Sequence, residues 1–444
     1  MGYDVRILPL FWRCVEKPSV SPSPRLGVLS LTALGVNTIV GSGIFRLPAE
    51  LASALGPASV LANLAGALLL APIALCYAEA ASVVSGDGGA YVYARSAFGA
   101  RAGFVVGWSM WLGCVLTFAV AAVAVPGQIE EVFAPAARRE VALAVVAFIV
   151  IALGVVNWAS ARTGARASDA FAIVKVVPLV AFVVVGAAFV SRTNLQPIAP
   201  RGWSGFGPAL LPVMFALSGF ESSATPGALA KDARRSVPVA AVAAVALTAV
   251  LYGLIQLVAV GVVPNLGESK RPLADVMRTI LGPQAAALVS LVGAVAMIGL
   301  SAAMAFAGPR LLAALATDGH LPVALGRMSA GGAPHASILV TTLATALLAV
   351  TLDFRHLVDF TTIILVIQYS ATCAAVLKLR ARHVEGRITL PLGPVLPVCG
   401  IAIVGWIGMQ ASRRELLLSL VALVVGVVLS ELFRRFGSSP RDSV

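Results

Sequence analysis

Charge is what this chain has least of. Asp, Glu, Lys and Arg make up 12 % of its 444 residues while hydrophobic types make up 59 %, and a soluble domain carries roughly twice that charged share. The mean hydropathy of +0.95 is that of an integral membrane protein. Long polar stretches are missing too: the longest precedes the first apolar run, and those near 126–139, 191–204 and 264–283 are short. No soluble domain fits in them, so function resides among the apolar segments. Histidine is scarce, and His320, His335, His356 and His383 all fall at loops or at the ends of apolar runs. A membrane enzyme would need a convergent His, Asp, Cys or metal constellation at depth. The five cysteines (Cys14, Cys76, Cys114, Cys373, Cys399) form an odd set with no CxxC and no histidine at metal spacing, which argues against a disulfide framework or a zinc site. No metal and no cofactor is implied. Basic residues outnumber acidic ones 32 to 20, a net charge of +12. They sit in short stretches between apolar runs with no aromatic-interleaved face, so nucleic acid is not the partner they suggest.

What the chain has in quantity is apolar length. A helix needs about 20 apolar residues to cross a bilayer, and twelve runs qualify: near 26–54, 58–84, 101–125, 140–159, 167–190, 205–229, 239–263, 284–316, 335–351, 356–379, 390–411 and 415–433. The expected fold is an all-α integral membrane protein of 12 transmembrane helices. It divides into a tail (1–25), a core of ten helices (26–380), a further helix pair (381–436) and a second tail (437–444). Twelve spans put both termini on one side. With the termini inside, 20 of the 32 Lys and Arg are inside and 10 outside, in the sense of the positive-inside rule. The first segment, with Arg6, Arg13, Lys17 and Arg25 and no cleavage-site pattern, reads as a cytoplasmic tail of a cell-membrane protein. Between the seventh and eighth runs, Leu273, Val276, Met277 and Ile280 fall at helical spacing and predict a short amphipathic helix on the outer side.

Two runs are interrupted where they should be most apolar. The first carries Gly41-Ser42-Gly43-Ile44-Phe45, and the sixth carries Ser218-Gly219-Phe220-Glu221-Ser222-Ser223. Lipid offers no hydrogen bonds to freed N–H and C=O groups, so unwound backbone at depth marks a place where a ligand, ion or water satisfies it. Interruptions in runs one and six are what two five-helix repeats of inverted topology would give, with a substrate site between them near the midplane. Close helix packing is the alternative use of membrane glycines, and for Gly41 alone it would suffice.

Four motifs, read in order, resemble the amino acid, polyamine and organocation transporter superfamily, in its bacterial amino acid permease type. They are Gly41-Ser42-Gly43-Ile44-Phe45; Gly88-Gly89-Ala90-Tyr91-Val92-Tyr93 with Gly103-Phe104 and Gly107-Trp108; Ser218-Gly219-Phe220-Glu221; and Asp318-Gly319-His320-Leu321-Pro322. The resemblance implies a fold of five plus five inverted helices. It also implies a site in which the amides of Ser42 and Gly43, with the Ser42 hydroxyl, hold a substrate carboxylate at the start of a half-helix. Carbonyls of Ile39, Phe215 and Ser218 would take the ammonium. Free N–H groups and a positive dipole end suit a carboxylate in any case. Gly41, Ala216 and Gly219 complete the backbone of that site, and Phe215 is the implied aromatic gate.

Lys175, inside the fifth run, is a charge that costs ~3 kcal/mol or more at bilayer depth. The resemblance puts it where sodium-coupled members bind sodium, bridging helices 1 and 8. It either gains and loses a proton during transport or stays a fixed charged strut. Glu221 either relays protons or braces the unwound stretch, and Glu79 reads as an ordinary interface charge. Trp108, Trp111 and Phe220 read as packing. Where arginine-exchanging relatives carry an asparagine in helix 3 and a tryptophan in helix 8, this chain has Phe118 and Met304, a more apolar pocket. The expectation is a secondary active transporter for neutral amino acids, coupled to protons and working in the lipid bilayer by alternating access, with no obligatory partner subunit. An exchanger, with a cationic amino acid or polyamine as substrate, is the alternative. A channel would need polar or charged rings along a pore, and so little charge lies within the spans that none is indicated.

Overall fold

The computed structural model describes residues 27–41, 43–84, 88–159, 175–223, 233–382 and 392–436. Among them there are helices, turns and loops, and no strand. In lipid the helix is the economical solution, because each segment satisfies its own backbone. The helices are α1 (Val28–Ile39), α2 (Gly43–Leu55), α3 (Ser59–Val83), α4 (Ala90–Phe98), α5 (Ala100–Ile129), α6 (Arg139–Ala159), α7 (Val176–Ala187) and α8 (Phe206–Leu217). Then come α9 (Ala233–Val262), α10 (Pro272–Leu281), α11 (Pro283–Thr317), α12 (Val323–Gly326), α13 (His335–Thr351), α14 (Phe354–Ala381), α15 (Val395–Gly408) and α16 (Arg413–Phe436).

Among the described residues, seven helical stretches are long and apolar enough to cross a membrane, one of them running through α2 and α3 together. The shorter apolar helices are α1, α7, α8, α13 and α15. For α1 and α8 the shortness comes from the interruptions, where the backbone leaves the helix. The expected amphipathic helix is α10, with Leu273, Val276 and Met277 buried.

Helices α5, α9 and α14 form the inside of the bundle, two thirds of each apolar window being buried (67 %), whereas that of α16 is 17 % buried and faces outward. The most extensive packing is α11 against α5 and α9 against α3. Close approaches set the register of α5 and α11: Gly107 lies against Leu315, Gly308 against Cys114 and Gly293 against Gln128. This antiparallel register brings Phe118 level with Met304.

One arrangement occurs twice. Helix α4 ends at Gly99, with φ 92° and ψ 179°, whose N–H bonds to Arg95, and the long α5 begins at the next residue. Helix α10 ends at Gly282, with φ 88° and ψ −173°, whose N–H bonds to Arg278, and the long α11 begins at the next residue. Both glycines occupy backbone that side chains rarely adopt. The 12-residue helices α1 and α8 each stop at an interruption, so the same plan of broken helix, short surface helix and long span recurs in both halves.

Candidate functional site

Apolar sequence alone would carry α1 on into α2. Instead the helix ends at Ile39, Val40 is extended (φ −71°, ψ 91°), and α2 begins at Gly43. Ser42 lies outside the described residues. In the second half, α8 ends at Leu217 and Ser218 is extended (φ −71°, ψ 160°). Gly219 follows at φ 114°, and a single 3-10 turn spans Phe220–Ser223. The Ser218 N–H and hydroxyl both donate to the Phe215 carbonyl, at 3.2 and 2.6 Å. Local side-chain bonding of this kind competes with helix continuation.

The two interruptions touch. A Cβ placed on Gly219 would stand 2.9 Å from the Ile39 nitrogen and the Thr38 carbonyl carbon, and one on Gly43 would stand 2.9 Å from Ala216 Cβ and 3.9 Å from the Phe215 ring. A Cβ on Gly41 would meet Leu300 of α11 at 2.5 Å. Ile39, Gly41, Gly43, Phe215, Ala216 and Gly219 are therefore brought to one place, all buried or against buried backbone. Met304 lies one turn beyond Leu300 on α11, and the buried Phe118 lies at the same level on α5.

Each interruption is also held from the side. Tyr252 of α9, fully buried, donates its hydroxyl to the Ile39 carbonyl at 3.0 Å. At the second, the Glu221 carboxylate accepts from the Gly219 N–H at 3.0 Å and from the Tyr369 hydroxyl of α14 at 3.2 Å. Phe220, Tyr77 and Tyr369 pack as a ring cluster with centroids 5.5–5.7 Å apart and 5.6 Å for the third pair. Lys175 is buried at the start of α7. Among the described residues no hydrogen bond or ion pair joins it to α1 or α11, so the expected bridge is not formed among them.

Glu79 departs from its reading as an ordinary interface charge. It is 2 % exposed, and its two carboxylate oxygens accept from Nε and Nη2 of Arg380 on α14, both at 2.5 Å. The fork-shaped cation gives both oxygens of the buried carboxylate a donor. Two of the quoted motifs meet at the same end of the bundle: Asp318 accepts from the Tyr91 hydroxyl and from Arg95 at 2.8 Å. There, burial and then the Asp318 bond push the Tyr91 hydroxyl up to about 12. His320 stacks on Phe104 at 4.9 Å and lies 3.3 Å from the Ser430 hydroxyl. Burial, and then Arg434, hold it below the ordinary imidazole value.

Sequence reasoning missed Tyr252, Leu300 and the Arg380 partner of Glu79. For the first a signal existed. Tyr252 and Gln256 are large polar groups four residues apart in a mostly apolar helix, and Gln256 donates to the Pro48 carbonyl of α2 at 3.1 Å and to Ser59 at 2.8 Å. Leu300 is one apolar residue among many and carries no such mark.

Comparison with known proteins bears on the whole chain. Over 452 aligned residues it is 24 % identical to the "Methylthioribose transporter" of Bacillus subtilis, covering 96 % of this chain and 97 % of the relative. It is 27 % identical to the "Branched-chain amino acid permease BcaP" of Lactococcus lactis, covering 83 % and 85 %. The Bacillus subtilis protein of the same name is 23 % identical, covering 93 % of each. The profile described as "Amino acid permease" matches residues 26–434, and a protein with these apolar helices that matches it from the first span to the last belongs to the amino acid permease family, a multi-pass membrane transporter.

Proposed function

We propose that this permease is a proton-coupled importer of neutral amino acids, branched-chain ones first. It would have twelve transmembrane helices, both termini cytoplasmic, and two inverted five-helix repeats. The observation that carries the proposal is the contact between the two interruptions, where Gly43 meets Ala216 and Gly219 meets Ile39. Half-helix ends and freed carbonyls then converge on one small volume, a pairing that suits a zwitterion. The start of α2, with Ser42 and Gly43, holds the carboxylate. The carbonyls of Ile39 and Ser218 hold the ammonium, the Phe215 carbonyl already accepting two bonds from Ser218, and the Phe215 ring closes over the ligand. Phe118 and Met304 give the side chain an apolar berth, in keeping with the branched-chain permease names of two relatives. Helices 1, 2, 6 and 7, which are α1 with α2, α3, α8 and α9, rock against the rest.

In this reading Lys175 carries the coupled proton, and Glu221 braces the second interruption or relays. Burial of Lys175 equally suits a fixed charge in an amino acid exchanger, a second reading that one assay separates. Purified protein in proteoliposomes is offered labelled leucine, isoleucine, valine, alanine, arginine and 5-methylthioribose, with and without an inward proton gradient, and Lys175→Ala is run beside it. Gradient-driven leucine accumulation that Lys175→Ala abolishes supports the importer. Uptake that ignores the gradient and requires preloaded amino acid makes the protein an exchanger. Uptake of 5-methylthioribose alone overturns the substrate assignment.

A further inference from the structure

The transport reading leaves Tyr252 without a role. Its ring is fully buried, yet its hydroxyl reaches the last residue of α1 at the interruption. In an unbroken helix the Ile39 carbonyl would accept from the N–H four residues on, that of Gly43. Gly43 instead opens α2, which leaves the carbonyl among the orphan acceptors of a helix end. Tyr252 supplies the donor that the break removes. One turn along α9, Gln256 ties the same helix to the Pro48 carbonyl on the far side of the break. Gly219 packs against the preceding peptide, between Thr38 and Ile39.

We infer that Tyr252 is a positioning residue for substrate recognition: its hydroxyl takes one lone pair of the Ile39 carbonyl and so aims the other at the substrate ammonium. A carbonyl has two acceptor lone pairs, and a peptide fixed through one presents the second in a set direction. Without the hydroxyl the Ile39–Val40 peptide is held only by its own N–H, which donates to the Val36 carbonyl at 2.8 Å, and the ammonium loses an aligned acceptor while the carboxylate and side-chain contacts persist. The inference rests on the reading that the Ile39 carbonyl takes the ammonium.

The test is Tyr252→Phe in nanodiscs, with Tyr93→Phe, another fully buried tyrosine, as the control for losing a hydroxyl. Binding is measured for leucine and for 4-methylpentanoate, which keeps the carboxylate and side chain but lacks the ammonium. Tyr252→Phe should weaken leucine about tenfold, the scale of one lost aligned hydrogen bond, and leave 4-methylpentanoate within twofold. Tyr93→Phe should change neither. Hydrogen exchange without substrate gives a second measurement: amides of residues 38–43 should exchange faster in Tyr252→Phe while α9 keeps its protection. Equal weakening of both ligands, or leucine affinity and exchange at 38–43 both unchanged, overturns the inference. Gly43→Trp separates the two levels: if it binds leucine like the unaltered protein, the site reading fails, while the exchange result still decides whether Tyr252 holds the break.

Discussion

At the first interruption the chain passes through Gly41 and Gly43 without a positive φ, and each glycine is needed only for room against Leu300 or Ala216. At the second, Gly219 has both demands at once, a φ of 114° and backbone of Thr38 and Ile39 within 2.9–3.1 Å of where a Cβ would stand. The restraints differ in the same way. Tyr252, from another helix, holds the first break by a carbonyl. Glu221, two residues away, holds the second by an amide and is itself held by Tyr369. The first break is thus set by its neighbours and the second largely by its own backbone. A site built this way has one adjustable wall and one fixed wall, which suits a transporter whose ligand must be enclosed and released.

The sharpest way to break that contrast is Gly219→Ala. Strain at such a φ costs ~1–3 kcal/mol, and the backbone clash cannot relax, so leucine uptake should fall more than about a hundredfold. If Gly219→Ala transports as well as Gly41→Ala, the second wall is not fixed. Glu221 comes next. A glutamine keeps an oxygen acceptor for the Gly219 N–H but carries no titratable proton, so bracing alone leaves Glu221→Gln with uptake within about fivefold of normal and Glu221→Ala far below it. Loss of gradient-driven uptake in Glu221→Gln, with exchange intact, would make the residue a relay.

Gly41→Ala should lower uptake about tenfold, and Leu300→Ala in the same chain should restore most of it, because a side chain is the only close obstacle. No rescue in the double-mutant cycle would mean that the first break is as rigid as the second. Gly99→Ala and Gly282→Ala meet nothing within 4 Å, so each should cost only backbone strain, ~1–3 kcal/mol, and lower the melting temperature alike. Unequal shifts would undo the equivalence of the two halves there. The smallest effect is His320. Its imidazole is held below its ordinary value of 6.5, so the unfolded chain binds more protons there, and stability should fall as pH drops below 6.5. His320→Asn should flatten that part of the melting-temperature profile.

How much of this the sequence carried depends on the kind of force involved. Membrane helices show themselves through length and apolarity, so α3, α5, α6, α11 and α13 begin and end within about four residues of the runs read from the sequence. The interruptions show themselves because glycine gathers with serine, and in the second with glutamate, where an apolar run should be most apolar, and spacing the apolar positions of residues 270–282 was enough to find α10. Partners across the bundle left no such trace. Nothing in the local sequence joins Glu79 to Arg380 or Leu300 to Gly41, because residues 301 and 259 positions apart meet only once the helices pack. Tyr252 lies between these cases: its polarity marks it, but its target does not. The role expected of Lys175 depends on a hydrogen bond or ion pair to α1 or α11, and none is formed among the described residues.

The pairing of Gly41 with Leu300 has a consequence for how such proteins diverge. Space at that point is shared between two helices, so neither residue is free to drift alone. A lineage that gains a methyl group at position 41 must first, or soon after, lose bulk at position 300, and the reverse order passes through a state with a hole beside the first interruption. The same bookkeeping links Gly43 with Ala216. Across permeases of different substrate range, these two pairs should therefore be inherited as units, with their combined volume varying less than the volume at either position.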